Sequence, residues 1–187
     1  KDELREALLR EQRALCCYCM SEISAAAGSM KIEHWQCQSR YPDRDLVYEN
    51  ILGACFGGDG QPEDRQHCDT RKGNQDLKWN PAIARHNVGK RVRFDLDGTI
   101  GSDDSEFNEQ LDQVLGLNLP TLMNRRKGVL DGLLWWWRLY RRDHHRRPPK
   151  DAVERQRNRW SRSDGGTLLA FAPVAVWWLE RQMGLTE

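Results

Sequence analysis

The segment from residue 15 to residue 73 holds all six cysteines of this 187-residue chain. In order, it contains Leu15-Cys16-Cys17-Tyr18-Cys19, Ile32-Glu33-His34-Trp35, Asn50-Ile51-Leu52-Gly53-Ala54-Cys55 and His67-Cys68-Asp69-Thr70-Arg71-Lys72-Gly73. Cysteines therefore stand at both ends of the segment, and a Glu-His pair and an Asn lie between them. This arrangement is typical of a metal-held scaffold that carries a second, hydrolytic metal site.

The positions of the cysteines favour a metal site over disulfides. Cys16 and Cys19 have the spacing of a zinc knuckle, in which two thiolates on a tight turn bind one tetrahedral ion. Cys55 and Cys68 form the natural second pair, although a long insertion separates them. A disulfide framework usually spans a whole chain, whereas the residues after position 68 include no cysteine. Three further donors remain alternatives for one of the four positions: Cys17, Cys37 and His67.

A Glu-His pair inside this segment indicates hydrolytic chemistry. A neutral imidazole at His34 can take a proton from water while the neighbouring Glu33 carboxylate helps to hold a divalent ion. We expect Asn50 to fix the loop that holds His34, and Asp69 to return to the same ion. We also expect Lys72 to face a phosphate. A lone Glu-His dipeptide is more often a surface pair, but its place between two cysteine pairs favours the hydrolytic interpretation.

Outside the cysteine-rich segment the sequence pattern is mainly helical. Apolar residues at helical spacing predict five helices, over residues 1–14, 105–115, 120–142, 150–161 and 167–183. Pro173 is expected in the first turn of the last helix, or at a kink within it. Inside the segment, residues 30–35 predict a short strand that carries Glu33 and His34, and residues 69–77 predict a short helix.

Residues 91–100 predict a β-hairpin, because Val92 and Phe94 alternate before the turn dipeptide Asp97-Gly98. The stretch from Asp95 to Thr99 also matches the Asp-x-Asp-Gly-Thr signature of haloacid-dehalogenase-like phosphatases, in which the first Asp is a nucleophile. That fold places the signature after the first strand of a parallel sheet. Here roughly half the chain precedes it and a helical pattern follows it, so the phosphatase is a minor alternative.

The net charge of +1 conceals a strongly basic region. Between residues 125 and 162, thirteen Lys or Arg stand against four Asp or Glu, which gives a local net charge of +9. A field of this size attracts nucleic acid or an acidic partner, although a solvated helical face has the same composition. Trp135-Trp136-Trp137 and Trp177-Trp178 favour either core packing or a partner interface. Three consecutive tryptophans cannot share one helix face, so at least one should point outward.

The composition allows a packed core and gives no sign of a membrane segment. The chain is 39% hydrophobic and has eight tryptophans, which disfavours wholesale disorder. No apolar run approaches the roughly 20 residues that span a bilayer, and the first residues show no signal-peptide pattern. We therefore expect a cytoplasmic protein without a membrane partner.

Taken together, residues 15–73 resemble an HNH endonuclease of the zinc-bound ββα-metal type. The motifs that carry the match are Ile32-Glu33-His34-Trp35, Tyr41-Pro42, Asn50-Ile51-Leu52-Gly53-Ala54-Cys55 and His67-Cys68-Asp69 with Lys72-Gly73. Within that family, the chain is most similar to the HNH effector of Septu-type and retron-associated anti-phage systems, which is encoded beside an ABC-like ATPase. The hairpin at Asp97-Gly98-Thr99-Ile100 and the aromatic C-terminal helix resemble that group as well.

The resemblance implies an α+β fold with a small zinc-stabilised ββα-metal core and a mainly α-helical C-terminal half. Its regions would be an N-terminal helix (1–14), the nuclease core with a four-cysteine zinc site (15–80), a hairpin with a connecting helix (81–119) and a basic, Trp-rich helical region (120–187). The implied function is metal-dependent cleavage of nucleic acid, with DNA favoured over RNA, in anti-phage defence with an ABC-like ATPase. The alternative is a non-catalytic zinc module that binds nucleic acid or protein.

The resemblance also assigns roles to residues. His34 would be the general base, Glu33 the acidic position before it, and Asn50 the middle residue of the motif. Asp69 stands where the family has its final His or Asn, which is a departure from the pattern. A carboxylate still suits Mg²⁺ or Mn²⁺, so Glu33 and Asp69 are the expected ligands of the catalytic ion. Four cysteines are the expected ligands of a structural Zn²⁺: Cys16, Cys19, Cys55 and Cys68.

Overall fold

The fold is α+β, as the sequence predicts, with short strands gathered in the first 101 residues and long helices after residue 120. A computed structural model describes residues 1–26, 28–162 and 166–184, so the end of the predicted 120–187 region lies outside it. The strands are β1 (Lys31–His34), β2 (Ile51–Ala54), β3 (Arg93–Phe94) and β4 (Ile100–Gly101). The helices are α1 (Asp2–Glu11), α2 (Cys68–Lys72), α3 (Val88–Arg91), α4 (Ser105–Glu109), α5 (Pro120–His144), α6 (Lys150–Ser161) and α7 (Ala172–Met183). Short 3₁₀ turns (Pro42–Arg44, Tyr48–Asn50, Glu63–Arg65, Ala84–His86) and a π-helical stretch (Gln110–Val114) lie between them.

Two small antiparallel sheets organise the first part of the chain. Strand β1 pairs with β2, so that Glu33 lies opposite Leu52 and His34 lies opposite Ile51. The second sheet pairs β3 with β4 and confirms the predicted hairpin. At its turn, the Asp97 carboxylate accepts a hydrogen bond from the Thr99 amide. This is turn chemistry, and both sheets of the described residues are antiparallel, which argues against the phosphatase alternative.

The helices follow the sequence pattern, apart from α1, which ends at Glu11 instead of residue 14, and two further corrections. Helix α6 covers the predicted 150–161, and α5 begins at Pro120 as predicted. The last helix begins at Ala172 instead of residue 167, because the amide of Leu168 bonds to Arg13 and the amide of Phe171 bonds to Met20. Pro173 lies in its first turn, where the missing amide proton is not needed.

The second correction concerns α2, which ends at Lys72 instead of continuing to residue 77. Gly73 follows it with a φ of +52°, a left-handed conformation that glycine adopts without a steric cost. The helix is therefore little more than one turn. It presents Cys68, Asp69 and Lys72 to the β1–β2 hairpin and to the cysteines around it.

The interior of the helical half is apolar and aromatic. Helix α7 packs between α5, α6 and β3, and its fully buried residues include Val174, Ala175 and Leu179. Trp137 on α5 meets Trp178 on α7 edge to face at 5.6 Å between ring centroids, and Phe94 on β3 meets Trp177 in the same way at 5.4 Å. No helix in the described residues is both long and apolar enough to cross a membrane.

Candidate functional site

The four predicted zinc ligands come together in one buried cluster. The sulfur atoms of Cys16, Cys19, Cys55 and Cys68 all lie within 4.8 Å of one another. Two of the separations are 3.8 Å, from Cys16 to Cys68, and 3.6 Å, from Cys19 to Cys55. A tetrahedral zinc with bonds of about 2.3 Å places its sulfurs about 3.8 Å apart, so the cluster has the donors and the spacing of a structural zinc site. All six cysteines are free thiols.

None of the three alternative donors, Cys17, Cys37 and His67, belongs to the cluster found among the described residues. The Cys37 thiol is 3.6 Å from the Asn74 carbonyl oxygen and 3.6 Å from the Ser39 hydroxyl. His67 lies beside the cluster, with its Nδ1 3.1 Å from the Cys68 sulfur and 3.9 Å from the Cys55 sulfur. His67 is therefore placed to hydrogen-bond a thiolate ligand, and four sulfurs already complete a tetrahedron.

Chain segments far apart in sequence build the cluster through main-chain hydrogen bonds. The Cys55 amide donates to the Cys16 sulfur at 3.3 Å, and the Cys17 amide donates to the Gly53 carbonyl. The Cys68 amide donates to the Leu115 carbonyl at 2.8 Å. Strand β2, the knuckle and α2 are thus fixed to one another at the cysteines. Although burial alone raises the pKa of Cys16, hydrogen bonds from the neighbouring thiols bring that pKa well below its usual value.

Glu33 is buried among polar partners next to this cluster. Its carboxylate, only 3% exposed, accepts hydrogen bonds from the Lys72 ammonium at 2.7 Å and from the Tyr18 hydroxyl at 2.8 Å. The Asp69 carboxyl also approaches it. Burial is the largest cause that raises the pKa of Glu33 to about 8, followed by the contact with Asp69, while Lys72 acts in the opposite direction.

The expectation that Lys72 faces a phosphate is wrong. Its side chain is fully buried, and its ammonium bonds to the Glu33 carboxylate and, at 3.1 Å, to the His34 carbonyl oxygen. Because a buried ammonium needs a counter-charge, the helix presents Lys72 inward to the strand that carries Glu33. Lys72 therefore holds α2 against β1.

His34 lies at the end of β1, and its ring is held from one side. The Nε2 atom is 3.1 Å from the Asp45 carbonyl oxygen. Since a carbonyl only accepts hydrogen bonds, Nε2 carries the proton of the neutral ring, and Nδ1 keeps the basic lone pair. No hydrogen bond among the described residues engages Nδ1, and the residue is half-buried.

Asn50 fixes the loop between the two strands, as the sequence suggests. Its side chain is buried, accepts from the Gln36 amide, and donates to the carbonyl oxygens of Gln36 and Arg44. The Trp35 amide also donates to the Asn50 carbonyl. These bonds close both ends of the loop that supplies Asp45 to His34, so Asn50 has a positioning role.

Asp69 occupies the first turn of α2 and remains partly exposed. Its carboxylate is 3.6 Å from the Lys31 ammonium, which also lies 3.2 Å from Asp59 and donates to Thr70 at 2.8 Å. The structure therefore brings Asp69 beside Glu33, while the His34 ring is held by the opposite loop. Along a strand, neighbouring side chains point to opposite faces, which explains why Glu33 and His34 have different partners.

Sequence reasoning missed two members of this site, Tyr18 and Lys31. Tyr18 lies inside the Cys16–Cys19 knuckle, and its hydroxyl reaches Glu33. Lys31 lies two residues before Glu33 on β1, a spacing that places both side chains on one face of the strand. The alternation of side chains along β1 could have predicted that Lys31 lies beside Glu33. No pattern in the sequence indicates that Tyr18 contacts Glu33.

The basic region is largely a surface feature. Of its thirteen Lys and Arg, Arg126 is buried, Arg157 is half-buried and bonded to Glu180, and the rest are mostly exposed. Trp135 is 62% exposed on α5, which confirms that one member of the triple tryptophan points outward. The other four tryptophans of the two clusters are half-buried or buried, so most of the indole surface is used in packing.

Comparison with known proteins does not assign the chain to a family. No protein-family model matches the sequence, and no curated protein matches it either. The geometry of the site and the sequence motifs are therefore the basis of the function proposed below.

Proposed function

We propose that the chain is a metal-dependent endonuclease of the HNH type, which hydrolyses phosphodiester bonds of nucleic acid and favours DNA. The observation that carries the proposal is the arrangement of residues 31–72. An antiparallel hairpin and a short helix, joined at a four-cysteine cluster, bring the Glu33 and Asp69 carboxyl groups together and hold the His34 ring by one nitrogen. The motifs IEHW and HCD stand at these positions in the sequence.

His34 is the proposed general base. With Nε2 donating to the Asp45 carbonyl, Nδ1 is free to accept a proton from a water molecule that attacks the phosphorus atom. Asn50 keeps the Asp45 loop in place, so that the ring does not rotate away from this orientation. A base of this kind typically contributes on the order of 10²–10⁴ in rate.

Glu33 and Asp69 are the proposed ligands of a catalytic Mg²⁺ or Mn²⁺. Two adjacent carboxyl groups suit a hard divalent cation, and their mutual repulsion, part of the cause of the raised Glu33 pKa, would be relieved by a bound cation. When bound, such an ion supplies stabilisation of the charge that develops on the phosphate oxygens. Tyr18 and Lys72 orient the Glu33 carboxylate from the protein side.

The four-cysteine cluster is proposed to hold a structural Zn²⁺. Four sulfurs leave no open position for water or substrate, as in structural zinc sites. The zinc would hold the knuckle, β2 and α2 in register and would take no part in the hydrolysis. Its chemistry is thus separate from that of the proposed catalytic ion.

The test is cleavage of plasmid, single-stranded DNA and tRNA with Mg²⁺, with Mn²⁺ and with EDTA. We expect nicking or cutting of at least one substrate, dependent on the added ion. The zinc content is measured in the EDTA sample, because loss of structural zinc would also stop cleavage. Inactivity on all three substrates with zinc bound would contradict the nuclease and favour the non-catalytic zinc module.

We propose further that the exposed face of α5 docks on an acidic surface of the ABC-like ATPase that the resemblance implies. Trp135, Arg138 and Arg142 lie on one side of the helix, at spacings of three and four residues, and Trp135 and Arg142 are exposed. Aromatic and arginine side chains together are enriched in binding hot spots. The other exposed arginines would guide nucleic acid.

A point variant tests this better than a truncation at residue 119, because α5 and α7 pack against the β3–β4 hairpin. Trp135→Ala should abolish pull-down of a co-encoded ATPase with modest dependence on salt, and leave cleavage unchanged. Nucleic-acid binding by the arginines should instead weaken steeply as salt rises. Retention of the ATPase by Trp135→Ala would contradict docking through this face.

A further inference from the structure

The Arg126 side chain lies entirely inside the protein, although arginine is rarely buried. From α5 it reaches the turn of the β3–β4 hairpin, where its Nε donates to the Gly98 carbonyl at 2.6 Å. Its Nη2 donates to the Leu117 carbonyl at 2.7 Å and lies 3.4 Å from the Asn118 amide oxygen. Gly98 makes this approach possible, since its φ is +90° and a Cβ there would lie 2.0 Å from the Met123 carbonyl oxygen.

These neighbours accept hydrogen bonds from the Arg126 guanidinium, but they do not neutralise its positive charge. The three acceptors are neutral, and Nη1 has no hydrogen-bond partner in the part of the chain that the structure describes. The carboxylate that acts on the guanidinium is that of Asp97, which is exposed and bonded to the Thr99 amide. A buried cation without a paired anion is strongly unfavourable, and burial lowers the pKa of Arg126 to about 10.

The cysteine cluster supplies the missing negative charge when its sulfurs are thiolates, as zinc ligation requires. In that form, Cys19 and Cys68 both favour the charged guanidinium of Arg126. The geometric link is the 115–117 segment, whose Leu115 carbonyl accepts from the Cys68 amide and whose Leu117 carbonyl accepts from Arg126. Four thiolates around Zn²⁺ carry a net charge of −2, which also needs compensation in a buried site.

We propose that Arg126 is the buried counter-cation of the four-cysteine zinc site, and that its positive charge strengthens zinc binding. The guanidinium lowers the cost of keeping four thiolates in the protein interior, and the tetrathiolate lowers the cost of burying the guanidinium. Arg126 is a positioning residue and touches no substrate. The proposal rests on zinc occupancy of the cluster and is independent of nuclease activity.

One consequence is that zinc binding and the helical half are coupled. Arg126 belongs to α5, and the cysteines belong to residues 16–68. Loss of the metal leaves the Arg126 charge buried beneath the hairpin turn without a compensating negative charge. This uncompensated charge destabilises the contact between α5 and the hairpin. The charge of Arg126 thus couples the stability of the cysteine-rich segment to that of the helical half.

The test is zinc affinity, measured by competition with a chromophoric chelator for the wild type, Arg126→Gln, Arg126→Lys and Leu130→Ala. Leu130 is the matched control, because it is also fully buried on α5 and carries no charge. We expect Arg126→Gln to weaken zinc binding by about 10-fold, the low end of the range for losing a group outside the ligands, because Arg126 reaches Cys68 only through the 115–117 segment. Arg126→Lys should stay within a few-fold of the wild type.

Thermal stability, measured on the same samples, separates charge from packing. If Arg126 acts through its charge, variants without that charge should bind zinc more weakly. Arg126→Gln should then have a lower zinc affinity than Leu130→Ala, even where the two variants lose the same thermal stability. If zinc affinity follows only thermal stability in all variants, the proposal is overturned. If Arg126→Gln does not fold even with excess zinc, Arg126→Lys provides the test. Zinc affinity near that of the wild type, despite reduced thermal stability, would support the proposal. A loss of zinc affinity equal to that of Leu130→Ala would overturn it. A wild type that binds no zinc overturns both this inference and the zinc site.

Discussion

The cysteine-rich segment and the helical half share one hydrophobic core, but the segment buries more polar groups in its part of the core. In residues 15–73 the buried side chains include a thiol cluster, the Glu33–Lys72 ion pair and the Asn50 amide, set among apolar residues such as Ile51 and Leu52. In α5–α7 they are mainly Leu, Val, Ala and Trp178, and Arg126 is the charged exception among the described residues. The first interior depends on specific partners, each of which is costly to leave unpaired, whereas the second depends on apolar area removed from water.

The lengths of the elements agree with this contrast. Strands β1 and β2 have four residues each and α2 has five, which is too short for local stability. Helix α5 has 25 residues and a stripe of buried residues along its first half. The cysteine-rich segment should therefore be sensitive to single polar substitutions, and the helical half to large-to-small substitutions.

Removal of the metal should produce the largest difference between the two parts. Zinc binding in small zinc-finger peptides is worth about 10–16 kcal/mol and is coupled to folding. Cys16→Ser should therefore lose zinc and the cooperative unfolding of residues 15–73, while much of the helical circular dichroism from α5–α7 remains. Cys37→Ser is the control, since Cys37 is buried outside the cluster, and it should keep its zinc. A metal-free protein that melts as cooperatively as the zinc form would contradict the account.

The buried ion pair should give the next largest effect. Lys72→Met leaves the Glu33 carboxylate without its cation, and breaking a buried pair typically costs about 3–5 kcal/mol. The double variant with Glu33→Gln should recover part of that loss, because no charge then remains buried. Urea unfolding of both variants and of the wild type at about pH 9, above the pKa of about 8 for Glu33, checks this. Additive losses in the double variant would show that the pair is not coupled.

In the helical half, replacing a buried tryptophan by alanine should destabilise the protein about as much as breaking the ion pair does. The same replacement at an exposed tryptophan should have almost no effect on stability. Trp178→Ala removes a buried ring packed on Trp137 and should cost about 3–5 kcal/mol. Trp135→Ala, at an exposed position of the neighbouring helix, should change the free energy of unfolding by less than about 0.5 kcal/mol. Equal losses at both positions, in the same denaturant titration, would contradict the packing described for α5 and α7.

The pH dependence of stability should be the most gradual of these effects, because it is spread over about three pH units. The pKa of Glu33 is raised to about 8 in the folded protein, above its value in the unfolded chain. The folded state therefore binds more protons between about pH 5 and 8, and stability from this group falls as pH rises, by up to about 1.4 kcal/mol per pH unit. Glu33→Gln should remove this slope in protein without added divalent ions. A slope that is unchanged in Glu33→Gln would assign it to other groups.

The sequence predicts the parts of the fold that depend on local pattern and on residue type. Helix α6 has its predicted bounds because Pro149 precedes it and its charges lie on the outer side. The cysteine cluster was predictable because few other roles explain a Cys-x-x-Cys with two further cysteines. The start of α7 was not, since main-chain bonds to Arg13 and Met20 hold the residues before it.

Within the candidate site, the sequence indicated which residues are functional candidates. It did not indicate which groups those residues bond to. His34 and Asn50 stand out by motif, and the structure adds the Asp45 carbonyl that sets the tautomer of His34. Lys72 was expected at a phosphate, but Glu33 on a distant strand binds it inside the protein. Long-range charge pairing of this kind leaves no periodic signal in the sequence.

The central claim is that His34 is the base of a metal-dependent nuclease, and its most direct test is cleavage by His34→Ala. The rate with saturating Mg²⁺ is compared with wild type and with His144→Ala, an exposed histidine at the end of α5, and zinc is measured in every sample. We expect a fall of about 10²–10⁴ in rate for His34→Ala, with zinc and thermal stability retained and His144→Ala fully active. Wild-type cleavage by zinc-loaded His34→Ala would contradict the assignment.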